Sequence, residues 1–547
     1  MTPYPPEHSP SFLHPRRPPR RRLDDLVRRL DARLVGAPAE DVVIGGITHA
    51  TNELRPGAAF VALPGERHHG AEFAAEAVER GAVAIITDAA GADIAAEITV
   101  PIVCVEGPRR RLPEIAAWIY GTDADLPILL GVTGTNGKTS VTHLLEGILT
   151  QIGVTAGSSS TVDRRIAGRS VIAGLTTPEA SDLHALLAVM REHDVEAMAA
   201  EVSAQGLVRD RVGSIVFDVA GFTNLTHDHL DDFGDMETYL DAKALLFKKD
   251  RARRAVVSLD SAAGSTIVTR ADVPVTTILT PSVAIDPALT AHWRVEIVAE
   301  RHDGTSFLLT GPEGRWLRTT VPVIGRHMAA NAGLAIVMLH EAGYAWDRLR
   351  DALHGARIAA SIPGRTQRVS GESGPTVYVD FGHTPDAFAK TLAAVRRVTP
   401  GRVLMLCGAD GDRDATKRAA MGRTAAEGSD ILVITDHHPR FEDPDAIRAA
   451  LVSGARSAGG STEILDFSPP ERAIVEAVDR VTEGDAILWA GPGHQNYRDI
   501  RGTRAPYSAR ELARRALRAA GWAAPEPTWE VPYPADSTPP SDELRPF

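Results

Sequence analysis

The segment ILLGVTGTNGKTSVTHLLEGIL, residues 128–149, limits what this chain can fold into more than any other. A short apolar run, a glycine turn and a long pattern of helical period predict a buried strand feeding a helix N-terminus, the basic unit of an α/β domain. Glycines at 134 and 137 let backbone amides turn toward an anion, and a helix N-terminus favours negative charge. In the loop Gly134-Thr135-Asn136-Gly137-Lys138-Thr139-Ser140, Lys138 can reach the outer phosphate oxygens and the Thr139 hydroxyl can face Mg²⁺. The glycines stand closer together than in the usual Walker A pattern, and a ligand-free glycine turn is the plain alternative. The strand and helix on either side favour a bound nucleotide.

Strand-like runs alternate with helical patterns over most of the chain: VVIGGI, AAFVAL and AVAIIT early, RVLMLCGADGD, DILVITD and DAILWAGPG late. Such alternation predicts parallel-type sheets, hence an α/β fold throughout. At 547 residues the chain is long enough for three or four domains. Breaks fall near Asp123–Leu126 and near Ile362–Gly364, giving segments 25–122, 123–361 and 362–524. The Pro/Arg-rich head (1–24) and the Pro-rich tail (525–547) offer too little apolar surface to offset ordering entropy and read as flexible arms.

A net charge of −12 argues against a nucleic-acid partner. No run is apolar for the length of a membrane span, and the head lacks the apolar centre of a signal peptide. Cys104 and Cys407 lie in apolar runs and read as buried thiols of a reducing compartment. The chain is thus expected to be soluble and cytoplasmic, with small-molecule partners.

Only six lysines, 138, 243, 248, 249, 390 and 417, occur among 59 basic residues. Lysine therefore stands where arginine does not serve. A guanidinium essentially never deprotonates, so Lys243 in YLDAKALLF is a candidate for a reactive amine, although alone it would read as a helix-surface residue. Upstream, AMAAEVSAQGL delivers Glu201, and GFTNLTHDHLDDFG delivers Asn224, His227, Asp228 and His229. Carboxylate, imidazole and the Thr139 hydroxyl near a nucleotide could hold a divalent metal. His-Asp-His by itself reads equally well as a solvated turn.

In order along the chain, RPGAAFVALPGERHHGAEFAAEAVERGAVAIIT, GVTGTNGKTS, TTPEASDL, EVSAQGL, FTNLTHDHLDDFGDMETYLDAKALLF, GRHMAANAGLA, PGRTQRV, VDFGHTPDAF, CGADGDRDATKR, TDHHPRFEDP and AGPGHQ resemble the Mur ligase family, over about residues 40–500. The resemblance implies three domains: one for a UDP-linked substrate, a central P-loop ATPase and a Rossmann-like C-terminal domain for an amino acid. It implies ATP-dependent amide formation on UDP-N-acetylmuramoyl-L-alanyl-D-glutamate through an acyl phosphate. By the same correspondence Thr139, Glu201 and His229 are metal-site residues, and Lys243 carries a CO₂-derived carbamate. Lys138, Glu201, His229, Lys243 and Asp380 are catalytic, while Asn224, Arg365 and His383 join the nucleotide site. Thr51, Thr176, Thr177, Ser203, Arg209 and Arg211 match positions that meet the muramoyl peptide. A monomer is implied, because one chain supplies the whole site.

The resemblance also marks departures. Ala50-Thr51-Asn52 stands for the family's Asp-Ser-Arg, Gln205 for a histidine, Met328 for an asparagine and Arg209 for a glutamine. TDHHPRF occupies the place of the amino-acid selector, read as Asp-Asn-Pro-Arg in diaminopimelate-adding members. Arg440 is kept, and its planar fork suits a carboxylate. His437 and His438 replace Asp and Asn, and Gly491-Pro492-Gly493-His494-Gln495 ends in an amide where the family has a carboxylate. Losing that counter-charge predicts an amino acid without the distal ammonium of diaminopimelate. A metal at the two histidines is the lesser reading.

Overall fold

The computed structural model describes residues 13–65, 67–281 and 289–525. Among these residues three separate sheets account for the main strands. The first runs 33–35, 102–104, 84–87, 58–61, 46–48 in spatial order, parallel except for its first strand. The second has eleven strands, in the order 169–172, 163–166, 156–159, 197–201, 128–133, 217–222, 252–258, 275–279, 293–301, 304–310, 316–321. The third runs 367–368, 376–380, 486–490, 403–407, 431–434, 463–466. This is the three-domain α/β architecture that the alternating pattern predicts.

The strand Ile128–Thr133 lies in the parallel centre of the large sheet, between Ala197–Glu201 and Phe217–Phe222. Its carboxyl end therefore brings the glycine loop, Glu201 and the 223–229 segment to one edge, where ligands of open α/β sheets bind. The helix Lys138–Gln151 leaves this loop nearly wholly buried, between the sheet and the helix Arg326–Glu341. Gly134 has φ +145°, and a Cβ there would meet the Thr223 hydroxyl at 1.9 Å, so only glycine fits.

The third sheet has its strand order reversed around 486–490, with the carboxyl ends at Asp380, Cys407, Ile434 and Ala490 facing one crevice. The loops after them carry His383, Asp410, His437, His438 and Gln495. The hinge 361–366 joins this domain to the P-loop side, and a Cβ on Gly364 would strike the backbone of Gly493 and His494 at 2.1–2.2 Å.

The head departs from expectation. Residues 13–24 are not a free arm: Leu13 packs on the core of the central domain, and the amides of Arg16 and Arg17 donate to the two Glu192 oxygens at 2.9 and 2.8 Å. Arg21 and Arg22 pair antiparallel with Val43 and Ile44, and the Arg21 guanidinium donates to the Trp118 carbonyl while lying over its ring. Proline and arginine content predicts flexibility from side-chain polarity; here the order comes from Leu13 packing, from backbone amides on Glu192 and from the Arg21 side chain on Trp118. Residues 1–12 and 526–547 lie outside the described residues.

Candidate active site

The glycine loop is laced to the segment after Phe222. Thr135 and Asn136 amides donate to the Asn224 backbone oxygen and Oδ1 (2.9 and 3.0 Å), and Asn224 Nδ2 and Thr223 Oγ1 donate to the Asn136 carbonyl. Lys138 donates to the carbonyls of Gly134 and Thr135 at 3.0 and 2.9 Å, and burial lowers its ammonium below the usual range. Thr139 and Ser140 are buried in the first helical turn, and Thr139 Oγ1 accepts from Arg365 at 2.8 Å. Arg365 comes from the hinge, and its guanidinium lies 4.5 Å over the Phe381 ring.

Lys243 is 1% exposed, against the plain expectation of a surface helix residue. Its Nζ donates to the Gly134 carbonyl at 2.9 Å and lies 4.0 Å over the Tyr239 ring. Burial, with the Lys138 charge beside it, holds the amine well below its normal pKa. A neutral amine is a nucleophile.

Glu201, also 1% exposed, accepts from the Thr161 amide and hydroxyl at 2.9 and 3.0 Å and has no ion pair among the described residues. Lys138, Arg164 and Arg365 are its electrostatic neighbours, none of them within ion-pair distance, and a buried carboxylate at this loop end is an oxygen donor of the kind that Mg²⁺ takes. His229 is 44% exposed and meets Gln205 Nε2 at 3.2 Å, the residue that replaces the family histidine. Partial burial lowers its imidazole pKa. The Asp228 carboxyl is held low despite burial by His383, His229, Lys417 and Lys138 around it.

Asp380 is engaged by the backbone. Its carboxylate accepts from the Thr366 amide and hydroxyl and the Gly382 amide, and its carbonyl from the Gly491 and Gly493 amides. It thus ties the hinge to the 491–493 loop, which makes it a positioning group here. His383 Nδ1 donates to the Phe381 carbonyl at 3.0 Å, and burial lowers the imidazole pKa.

On the opposite side, Thr177 Oγ1 bridges the Glu201 carbonyl and Ser203 Oγ, and Thr176 Oγ1 accepts from Thr161. Arg211 donates to the Thr177 carbonyl and pairs with Glu179 at 2.7 Å, which Arg109 of the N-terminal domain also approaches at 3.5 Å. Thr51 lies in the single turn Thr51–Glu53 of that same domain, and Arg209 is exposed to solvent beside Arg211. Thr176, Thr177, Ser203 and Arg211 are thus brought together with Arg209 beside them, while among the described residues no side-chain hydrogen bond joins Thr51 to them.

Glu53, Glu179 and Asp182 share this interface, and burial beside the other two carboxylates raises the Asp182 pKa to about 7. A carboxyl whose folded pKa exceeds its unfolded one binds its proton more tightly when folded, so it costs stability as pH climbs from about 4 to 7. Asp182→Asn is expected to raise the melting temperature by several degrees at pH 8 and by much less near pH 4.5, measured by calorimetry. Equal gains at both values would remove the ionisation from the account.

The selector residues do meet. His437, 7% exposed, shares a 2.6 Å hydrogen bond with Asp410 Oδ1. The Asp499 amide donates to His438 Nδ1 at 2.9 Å, so His438 carries its proton on Nε2 and donates to Gln495 Oε1 at 2.9 Å. Burial lowers His438 to about 3. Gln495 is thereby oriented with its NH₂ turned away from His438. Arg440, at φ +50°, spans Asp410 and Asp499 at 3.8 and 3.9 Å and donates to the Gly411 carbonyl. Gly491 faces the His437 ring. Asp410, His437 and His438 set one donor atom each within 4.8 Å of one another, but both His438 nitrogens are engaged in hydrogen bonds, so that ring has no lone pair left for a metal, while His437 Nε2 is buried without a partner among the described residues.

Asp410, Asp499 and Lys417 were not singled out by sequence reasoning. The signal for Asp410 was an acid between glycines in CGADGD, and for Lys417 the scarcity of lysine.

A P-loop edge facing the crevice of a Rossmann-like domain, with a third domain alongside, defines a multidomain nucleotide-dependent enzyme of α/β type. "Mur ligase family, catalytic domain" matches residues 43–120, "Mur ligase middle domain" 132–339 and "Mur ligase, glutamate ligase domain" 364–493. The UDP-N-acetylmuramyl-tripeptide synthetase of Leifsonia xyli subsp. xyli is 52% identical over 515 residues, covering 94% of this chain and 99% of that one. The UDP-N-acetylmuramoyl-L-alanyl-D-glutamate--2,6-diaminopimelate ligase of Streptomyces coelicolor is 39% identical, covering 93% and 99%. A solved MurF ligase from Thermotoga maritima in complex with ADP shares the fold with TM-score 0.60 at 19% identity, over 88% of this chain and 98% of that one. The chain belongs to the Mur ligase family. It is an ATP-dependent ligase that forms amide bonds, as members of this family are. No helix among the described residues is long and apolar enough to cross a membrane.

Proposed function

We propose that this chain, in the cytoplasm and as a monomer, joins an amino acid to the D-glutamate carboxylate of UDP-N-acetylmuramoyl-L-alanyl-D-glutamate, a step of peptidoglycan precursor synthesis. The observation that carries the reading is the buried Lys243 side chain, whose Nζ donates to the P-loop carbonyl of Gly134 and whose pKa burial lowers well below the usual lysine range. A plain nucleotide-binding scaffold has no use for a reactive amine there. The amine adds to CO₂, forming an N–C bond and releasing one proton, and the resulting carbamate changes a cationic side chain into an oxygen donor. Thr139, Glu201, His229 and that carbamate would hold Mg²⁺, which supplies charge neutralisation at the triphosphate.

The same proposal gives the other residues their roles. The amides of Gly134–Ser140 cradle phosphate, Lys138 neutralises it, and Asn224 fixes the loop. The substrate carboxylate attacks the terminal phosphorus and expels ADP, and the incoming neutral amine then displaces phosphate from the acyl phosphate, losing one proton as the amide forms. Repulsion between carboxylate and triphosphate makes the cations Lys138 and Arg365 necessary for in-line approach. Thr51, Thr176, Thr177, Ser203, Arg209 and Arg211 hold the muramoyl peptide between the segments 25–122 and 123–361. The segment 362–524 presents the amino acid through His437, His438, Arg440, Gly491 and Gln495, with Asp380 and His383 on its nucleotide side.

The test is product formation read by mass, with ATP, Mg²⁺, the UDP-muramoyl dipeptide and a panel containing diaminopimelate stereoisomers, lysine, ornithine and glutamate. A tripeptide product with one amino acid is expected, and one other than diaminopimelate, given Gln495 and the His437–Asp410 pair. Silence with every amino acid would overturn the acceptor assignment.

A further inference from the structure

The structure divides the six lysines into two sets. Lys248 and Lys390 lie at the surface in pairs with Asp272 and Asp386, and Lys249 is exposed. The remaining three, Lys138, Lys243 and Lys417, come from separate segments of the chain to one place. Lys138 and Lys243 both donate to the Gly134 carbonyl. Lys417, 13% exposed, reaches across from the C-terminal domain to lie 3.7 Å from Asp228, on the loop that also carries His229.

Lys417 is held firmly. It caps the helix Arg418–Gly428, and the next residue, the buried Arg418, grips both Glu442 oxygens at 2.8 and 2.9 Å and the Asp410 carbonyl at 2.8 Å. The same C-terminal surface carries His383, an electrostatic neighbour of both Lys417 and Asp228. A chain that uses arginine almost everywhere else has kept its interior lysines for this cleft alone. The distinction matters at a phosphate, because an ammonium is a compact point charge and a guanidinium is a wide planar fork.

We propose that Lys417 is a third lysine of the phosphoryl-transfer site. Its ammonium, docked here on Asp228, neutralises the terminal phosphate of the bound triphosphate from the C-terminal side of the cleft. The inference rests on the ligase reading above and adds a residue to it. With Lys138 and the hinge residue Arg365, Lys417 makes three cations facing one phosphoryl group, so full charge neutralisation requires the amino-acid-binding domain to be docked. Transfer is thereby linked to the presence of the domain that supplies the nucleophile.

The experiment uses the full chain with Lys417→Gln and Lys417→Arg. Affinity for ADP and for the β,γ-methylene analogue of ATP is measured by titration calorimetry, alongside kcat and the melting temperature. For Lys417→Gln we expect unchanged ADP affinity, triphosphate affinity about tenfold weaker and kcat lower by about 10²-fold; Lys417→Arg should recover only part. A loss confined to kcat, with ADP binding intact, also supports the assignment. Equal weakening for both nucleotides would reduce Lys417 to a structural ion pair, and no change in either affinity or kcat would remove it from the site. If the wild type releases no ADP with any acceptor, the ligase reading fails instead, while the nucleotide titrations still report on Lys417.

Discussion

Lys243→Ala is expected to lower ATP-dependent ligation by on the order of 10³-fold or more while leaving the fold intact. The side chain is fully buried, yet its polar end makes one hydrogen bond, to the Gly134 carbonyl, and no ion pair among the described residues. Removing it therefore strands no buried counter-charge, which is the usual source of large destabilisation. What disappears is a buried amine beside the glycine loop whose pKa burial and the neighbouring Lys138 lower well below the usual lysine range. Lys243→Arg separates the two explanations of that loss. If the residue acts as a cation, arginine restores activity in part; if it acts as a carbamate, arginine is as inactive as alanine, because a guanidinium does not add to CO₂. Circular dichroism and ADP binding check the fold, and ¹³C-labelled bicarbonate gives a carbamate resonance in the wild type that both variants lack. An active arginine variant would sink the carbamate role.

The nucleotide half of the site was legible because it is local. Strand, turn and helix of 128–149 are contiguous, and the residue types at Gly134, Gly137, Lys138 and Thr139 serve one backbone shape. Glu201 was legible as a carboxylate at the end of an apolar run, while Asn224, two residues past the strand Phe217–Phe222, came from the resemblance, because only the pairing of these strands with 128–133 brings both to the glycine loop. The segment 13–24 was misread because its order is tertiary, resting on Glu192, Trp118 and Val43–Ile44, none of which composition encodes. Asp410 was overlooked for a related cause. It follows strand 403–407, His437 follows strand 431–434, and only the parallel pairing of those strands sets carboxylate against imidazole. Asp380 was found, but its use was not: four backbone amides occupy its carboxylate and carbonyl.

That pairing changes what a specificity swap must contain. Restoring the selector pattern of diaminopimelate-adding members by His437→Asp, His438→Asn and Gln495→Glu looks sufficient from sequence. The geometry tolerates His438→Asn well, because the new side-chain amide can accept from the Asp499 N–H and donate to the side chain at position 495, as His438 does now. Position 437 is different. The His437 ring is 2.6 Å from Asp410 Oδ1, so an aspartate there puts a second carboxylate against the first in a buried corner. Two such groups cannot both ionise, and the shared proton or the displaced loop spoils the pocket. The triple variant is therefore expected to lose activity with every amino acid. Adding Asp410→Asn removes the repulsion and keeps the shape. The quadruple variant should recover ligation and raise kcat/KM for diaminopimelate at least about tenfold over wild type, since Gln495→Glu then offers the ammonium a counter-charge worth about 1.4 kcal/mol or more. Product mass and kcat/KM across the amino-acid panel give the answer. A triple variant that gains diaminopimelate unaided would show that Asp410 does not constrain the selector, and a quadruple variant without gain would move the discrimination to Arg440 and Asp499, whose side chains pair at 3.9 Å.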